Sequence, residues 1–311
     1  MAPKLLWIGL GNMGRGMSSN IVQKGNLDSP LLIYNRSTKR AVDLSKSLPE
    51  GKTEGKTEVV ESLADGVSRA DVIFSCIAND EAVQGLFKTI LEGDIAGRLF
   101  IESSTIHPAT TEAIAKEVVS RGAEFVAAPV FGAPAMADSG QLLGVLAGPR
   151  ASVARAKPWF TGVTSRGEID LSDEPYGKAL KLKIMGNGFI INMIEQLSEA
   201  HVVAEKSGLG TDVLHKFVEA FFPGPYTAYS TRMLSGDYYK REEPLFAVGL
   251  ARKDARHLLS LAEAAGARLQ NVETANAHLT QLEEHTGPSG DIAGIYGAAR
   301  KEAGFKFEND A

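Results

Sequence analysis

Lys4 to Gly9 (KLLWIG) is a short apolar run that reads as a buried strand. It enters Gly9-Leu10-Gly11-Asn12-Met13-Gly14, which opens a helical pattern ending at Gly25. This strand–GxGxxG–helix unit constrains the fold more than any other stretch. The first glycine allows a tight turn, the second lets backbone approach a pyrophosphate, and the third lets helix and strand pack closely. The free amides and positive end of the helix then face the phosphates. Gly9, Leu10, Gly11, Asn12, Met13 and Gly14 are therefore candidate dinucleotide contacts.

The downstream pattern agrees. A strand at Leu31 to Asn35 precedes helical spacing from Ala41 to Leu48. Further strands are expected at Glu58 to Val60, Asp71 to Ile77, Leu99 to Ile101, near Glu124 to Val126, and near Val163 to Ile169. Helices are expected between them near Ser62 to Ser68, Asp80 to Leu91, Pro108 to Arg121 and Ala151 to Phe160. Such alternation implies a doubly wound α/β domain of Rossmann type, with a parallel sheet covered on both faces. A tandem GKTE, at 51 to 54 and 55 to 58, is too short for a repeat architecture and reads as a lengthened loop.

In such sheets ligands bind beyond the carboxyl ends of the strands. An NAD site places a carboxylate against the ribose hydroxyl after the second strand. Here that position holds Asn35, Arg36 and Ser37, which suit a 2′-phosphate and favour NADP(H) over NAD(H). Two more strand ends stand out, Ile77-Ala78-Asn79-Asp80 and Glu102-Ser103-Ser104-Thr105. Asp80 by itself reads as a helix N-cap, and Ser103 to Thr105 as turn chemistry before Pro108. The segment Ala128 to Gly140, rich in Gly, Ala and Pro, either connects elements or lets a ligand approach backbone.

Beyond the polar turn at 171 to 175 the pattern becomes helical throughout. The expected division is a nucleotide-binding domain over 1–172 and an all-α domain over 173–311, with the site in a cleft between them. Helices are expected near Asp212 to Phe221, Ala228 to Leu234, Phe246 to Ala265 and Val272 to Glu284. The longest pattern, Tyr176 to Leu209, carries Lys183, Asn187, Ile190, Ile194 and Leu197 on one stripe. An ammonium and an amide one turn apart form a site if apolar walls cover them, because desolvation eases proton donation by the lysine. They are a solvated helix end if nothing does.

Composition narrows the class. The chain has 311 residues, 44% hydrophobic and 23% charged, with a net charge of −5, so nucleic acid is not expected as a partner. No apolar run suggests a membrane span, and the amino terminus lacks the pattern of a cleaved leader. The single cysteine, Cys76, lies in the apolar run DVIFSCIAN and reads as a buried structural thiol in a reducing, cytoplasmic setting.

Taken together, GLGNMG at 9–14, ESSTIHP at 102–108, APVFGAPAMADSGQL at 128–142, GKALKLKIMGN at 177–187 and the Lys253-Asp254 pair resemble the β-hydroxyacid dehydrogenases. That family includes 3-hydroxyisobutyrate dehydrogenase and semialdehyde and glyoxylate reductases, and is related to the amino-terminal part of 6-phosphogluconate dehydrogenase. The resemblance implies a catalytic lysine at Lys183 and a substrate-orienting amide at Asn187. It implies cofactor contacts at Thr105 and, from the second domain, Lys253. Asp254 is expected to stabilise its helix or pair with a neighbouring base.

Many relatives carry Ser-Gly-Gly where this chain has Phe131-Gly132-Ala133, and that serine helps hold a substrate carboxylate. Phe131 has no hydroxyl to donate, although the amides of Gly132 and Ala133 do. The departure points to a different or bulkier substrate than hydroxyisobutyrate; inward packing of Phe131 is the other reading. The resemblance further implies a small carbonyl or hydroxy acid as substrate and a homodimer or homotetramer. An imine reductase on the same architecture and a non-catalytic nucleotide-binding module are the rival readings. Lys183 argues against the first, and the joint presence of Lys183, Asn187 and Lys253 against the second.

Overall fold

The computed structural model describes residues 2–48 and 55–310, so the first GKTE copy lies outside the described residues. The chain forms two compact units, Met1–Lys183 and Ile184–Ala311.

The first unit runs β1 (Leu5–Ile8), α1 (Asn12–Lys24), β2 (Leu31–Tyr34), α2 (Thr38–Ser47), β3 (Thr57–Val59), α3 (Leu63–Arg69), β4 (Val72–Ser75) and α4 (Asp80–Ile90). It continues with β5 (Leu99–Glu102), α5 (Pro108–Ser120), β6 (Glu124–Ala127), β7 (Val130–Phe131), α6 (Pro134–Ser139), β8 (Leu142–Gly148), α7 (Arg150–Ala156) and β9 (Ser165–Ser172). The sheet order is β3-β2-β1-β4-β5-β6-β8-β7, with β9 also on β8.

From β3 through β6 all pairings are parallel. The central strands are apolar in both directions because helices cover both faces. Leu5, Trp7, Ile33 and Phe74 enter one core and Leu6, Ile8, Ile73 and Phe100 the other, as the two-residue period requires. On the first face Trp7 stacks on Phe74 with centroids 5.5 Å apart.

The sheet then departs from uniform winding. β8 runs antiparallel to β6 and β7, and β9 returns parallel to β8. The helix expected to reach Phe160 stops at Ala156 and passes into a 3₁₀ turn over Lys157–Trp159, where Pro158 has no N–H to continue the ladder.

α8 (Tyr176–Lys206) spans the division between the units. Its early residues Ala179 and Leu180 are fully buried in the first unit's core. The second unit adds α9 (Thr211–Phe221), α10 (Pro225–Leu234), α11 (Asp237–Lys240), α12 (Val248–Ala264), α13 (Gln270–Thr286) and α14 (Ile295–Glu302). Its core gathers Ile191, Ile194 and Leu197 from α8 with Met233, Leu279, Leu282 and Tyr296. No helix among the described residues is long and apolar enough to cross a membrane.

Candidate active site

Strand order reverses at β1, which lies between β2 and β4, so the crevice above the carboxyl ends of β1 and β4 is the ligand position of this topology. The glycine turn is built for it. Gly9 sits at φ +96°, and a Cβ there would lie 2.4 Å from the Cys76 carbonyl oxygen. A Cβ on Gly14 would lie 2.1 Å from the Gly9 carbonyl oxygen. A Cβ on Gly11, by contrast, would meet nothing within 4 Å. Gly11 is also the N-cap of α1, which has neither a side-chain cap nor an acidic residue in its first turn. Tight packing at the outer glycines, with open space and uncapped amides at the middle one, fits a dinucleotide pyrophosphate.

Asn35 Oδ1 accepts the Leu10 N–H at 2.9 Å, and Asn35 Nδ2 donates to the Ser37 carbonyl at 3.0 Å. The Asn35 side chain thus shapes the turn around the ribose position. Arg36 and Ser37 are exposed beside it, while Asn12 and Met13 are half-buried in the first turn of α1.

At the next strand end the helix cap is Asn79, whose side chain accepts the Ala82 N–H at 3.0 Å. Asp80, expected as the cap, does something else. Its Oδ1 accepts the His107 N–H at 2.8 Å and the Thr110 hydroxyl at 2.7 Å, tying α4 to the start of α5. Ile77 and Thr105 are half-buried and Ala78 is exposed.

Glu102, buried at the end of β5, accepts the Ser75 hydroxyl and, at 2.6 Å, the Ser104 N–H. Burial pushes its carboxyl up to about 7, against the hydrogen bonds from Ser104 and Ser75. Burial and then the Glu102 charge push the Cys76 thiol up to about 12, with Lys183 opposing. A thiol held in that range is inert at neutral pH.

The segment Ala128 to Gly140, expected either to connect elements or to let a ligand approach backbone, holds two elements of its own. Phe131 pairs with Leu143 across β7 and β8, and Pro134–Ser139 forms α6. Asn20 Nδ2 donates to the carbonyls of Ala137 at 2.7 Å and Asp138 at 3.0 Å, and Gly16 leaves no room for a Cβ against Ala137. Gly132 requires its φ of +144°, and Gly132 and Ala133 are exposed.

The three early lysines of α8 have different surroundings. Lys178 pairs with Glu174 at 2.7 Å, Lys181 is exposed, and Lys183 is buried at 8% exposure. The Lys183 ammonium lies over the Phe131 ring, 4.6 Å from its centroid. The structure thus joins two residues 52 positions apart in the sequence, and leaves Lys178 and Lys181 apart.

Asn187, one turn further along α8, belongs to the second unit. Its Nδ2 donates to Asp254 Oδ2 at 2.6 Å, and Lys253 Nζ lies 3.1 Å from Asp254 Oδ1. Asn187, Lys253 and Asp254 are all buried. Asp254 does pair with its neighbouring base, and in addition fixes the Asn187 amide, a function the sequence reading did not assign. The only sequence signal for it is the acidic residue adjoining Lys253.

The profile describing the NAD binding domain of 6-phosphogluconate dehydrogenase matches residues 4–170. The chain is 38% identical over 296 residues to the NADH-dependent oxidoreductase ucdB of Aspergillus ustus, covering 95% of this chain and 98% of that protein. It is 31% identical over 279 residues to the uncharacterized oxidoreductase YfjR of Bacillus subtilis, covering 88% of this chain and 92% of that one. In fold it is similar to a crystal structure of 3-hydroxyisobutyrate dehydrogenase from Salmonella typhimurium, with a TM-score of 0.81 and 21% identity over 94% of this chain and 98% of that one. The chain belongs to the β-hydroxyacid dehydrogenase family, oxidoreductases that carry the NAD binding domain of 6-phosphogluconate dehydrogenase.

Proposed function

We propose that this oxidoreductase reduces a small aldehyde or keto acid to the corresponding hydroxy acid, with Lys183 as general acid. The observation that carries the reading is the burial of Lys183, its ammonium held over the Phe131 ring and one helical turn from Asn187. A bound nicotinamide supplies the hydride, and accepts it in the reverse direction. Lys183 polarises the carbonyl oxygen and gives a proton to the developing alkoxide; as the neutral amine it takes that proton back. Asn187, its amide fixed by Asp254, orients the substrate. The amides of Gly132 and Ala133 serve the substrate's carboxylate, and the Phe131 ring limits its shape. Gly9 to Gly14 hold the pyrophosphate, while Ile77, Ala78, Thr105 and Lys253 are assigned to the rest of the cofactor.

We further propose that NADPH is preferred, because exposed Arg36 and Ser37 follow β2 with no acidic residue among them. The Aspergillus relative is an NADH-dependent oxidoreductase, which favours a second reading, a site that takes NADH. Exposed Phe217, Phe221 and Phe222 at the end of α9, the first two stacked and the third edge-on to both, support a homodimer or homotetramer built on the all-α unit. The single cysteine supports a cytoplasmic setting.

The deciding experiment is oxidation of NADPH and NADH, followed by absorbance, with a panel of semialdehydes, keto acids and cyclic imines. Turnover confined to carbonyls supports the reading. Turnover confined to imines, or cofactor binding without turnover on any compound, overturns it.

A further inference from the structure

Ser75 and Glu102 are neighbours across the carboxyl ends of β4 and β5. The Ser75 hydroxyl donates to Glu102 Oε2, and the Ser104 N–H donates to Oε1 at 2.6 Å. The Ser104 hydroxyl oxygen accepts the Ile77 N–H at 2.8 Å. The Ser75 hydroxyl and the Ser104 N–H both donate to the carboxyl, one to each oxygen. Glu102, Ser75 and Ser104 are all at most 3% exposed, so no bulk water replaces a lost partner.

The cluster reaches the glycine turn by contact. Ser104 fixes the Ile77 backbone, and Gly9 fits against Cys76 and Ile77 with no room for one more carbon. A shift at Ser104 is therefore passed through Ile77 to Gly9, because packed backbone has no slack to absorb it.

We propose that Glu102 is a positioning residue for the cofactor, acting through Ser75, Ser104 and Ile77 to set the β4 and β5 turns against the glycine turn. It does so as a hydrogen-bond acceptor, and its charge is not required. The inference rests on reading this edge of the sheet as the nicotinamide cofactor site.

The test measures dissociation constants of NADPH and NADH by nicotinamide fluorescence, together with kcat, carbonyl KM and thermal midpoint, for Glu102→Ala, Glu102→Gln and Ser104→Ala in the full chain. Glu102→Ala is expected to weaken cofactor binding and lower kcat by about tenfold each, leaving carbonyl KM within about twofold, as misplacement of a positioned group does. Glu102→Gln is expected to stay within about twofold of the native protein, since its amide oxygen takes the Ser104 N–H while its NH2 donates to a reversed Ser75 hydroxyl. Ser104→Ala cuts only the Ile77 link and is expected to weaken cofactor binding as Glu102→Ala does, so the inference remains testable if the latter fails to fold. Native dissociation constants in Ser104→Ala, or in a folded Glu102→Ala whose only change is a lower thermal midpoint, overturn the proposal. So does Glu102→Gln proving as damaging as alanine. A native protein that binds neither cofactor overturns the functional reading along with it.

Discussion

The Lys183 ammonium rests 4.6 Å from the centroid of the Phe131 ring, so the proposed acid and the β7 residue that departs from the Ser-Gly-Gly pattern of many relatives form one unit. A ring face attracts a cation without accepting its proton. Phe131 therefore holds the ammonium in place without taking one of its protons.

Replacing Lys183 tests the acid directly. Lys183→Ala removes a general acid and is expected to lower turnover at saturating cofactor by at least about two orders of magnitude. Lys183→Arg is expected to lose nearly as much, because a guanidinium keeps the charge but does not readily release a proton. Exposed Lys181→Ala provides the control and is expected to lose little. Near-native turnover in Lys183→Ala removes the mechanism.

Phe131→Ser and Phe131→Leu separate the two functions of the ring. Serine opens space and offers a hydroxyl, so relative rates are expected to move toward smaller acids, with cofactor affinity little changed. Leucine keeps apolar bulk but loses the ring face, worth about 0.5–2 kcal/mol for a cation–π pair, and is expected to lower turnover on all substrates alike. An unchanged substrate profile in the serine variant shows that the ring is ordinary packing.

Arg36→Ala is expected to narrow the preference for NADPH over NADH by roughly 1–3 kcal/mol in kcat/KM, the range of a charge-assisted contact to phosphate. Equal efficiency with both cofactors in the native protein sinks this expectation before any variant is made.

His278 sets a pH dependence of stability in the all-α unit. Its Nδ1 lies 2.6 Å from Glu195 Oε1 and its Nε2 3.1 Å from Glu302 Oε2. The Glu195 hydrogen bond, opposed by burial, raises the imidazole to about 9 from an ordinary 6.5. The folded state thus binds the proton more tightly than the unfolded chain does. The stabilisation is complete below about pH 6.5 and is lost as pH rises through about 9. Denaturant titrations of native protein and His278→Gln are expected to show a stability gap that narrows by roughly 2–3 kcal/mol between about pH 6 and pH 10. A gap that is constant with pH contradicts the ion pairs.

The parallel strands were legible because covering both faces makes each one a plain apolar run, as in LLWI and VIFS. Lys183 stood out from Lys178 and Lys181 because the helical period places Asn187 one turn ahead of it alone. The Ala128–Gly140 segment was not legible: its small residues have no period, and what folds α6 is an amide from Asn20, 117 positions from Ala137. α14 escaped notice for a different reason. Residues 291–300 are buried without interruption, which erases the amphipathic stripe, and Gly297 is needed to seat the Phe307 ring. Asn79 and Asp80 are adjacent and equally suited to capping; only the third dimension assigns one to the helix and the other to His107. Glu102 belongs with these, since its partner Ser75 lies 27 positions earlier.

The Asn20 clamp fastens α6 to the helix that follows the glycine turn, and β7 is fastened to β8 on the other side. Gly132 and Ala133 are therefore a short exposed link between two fixed points, β7, whose Val130 is buried in the core, and the clamped helix α6. Such a span is an exchangeable cassette: Phe-Gly-Ala at 131–133 can be replaced by another three-residue sequence that keeps glycine at 132 and Val130 in the core, and α1, α6 and β8 stay in register. On the proposed reading of the site, diversification of substrate choice, by natural drift or by library selection, has a ready-made place to act.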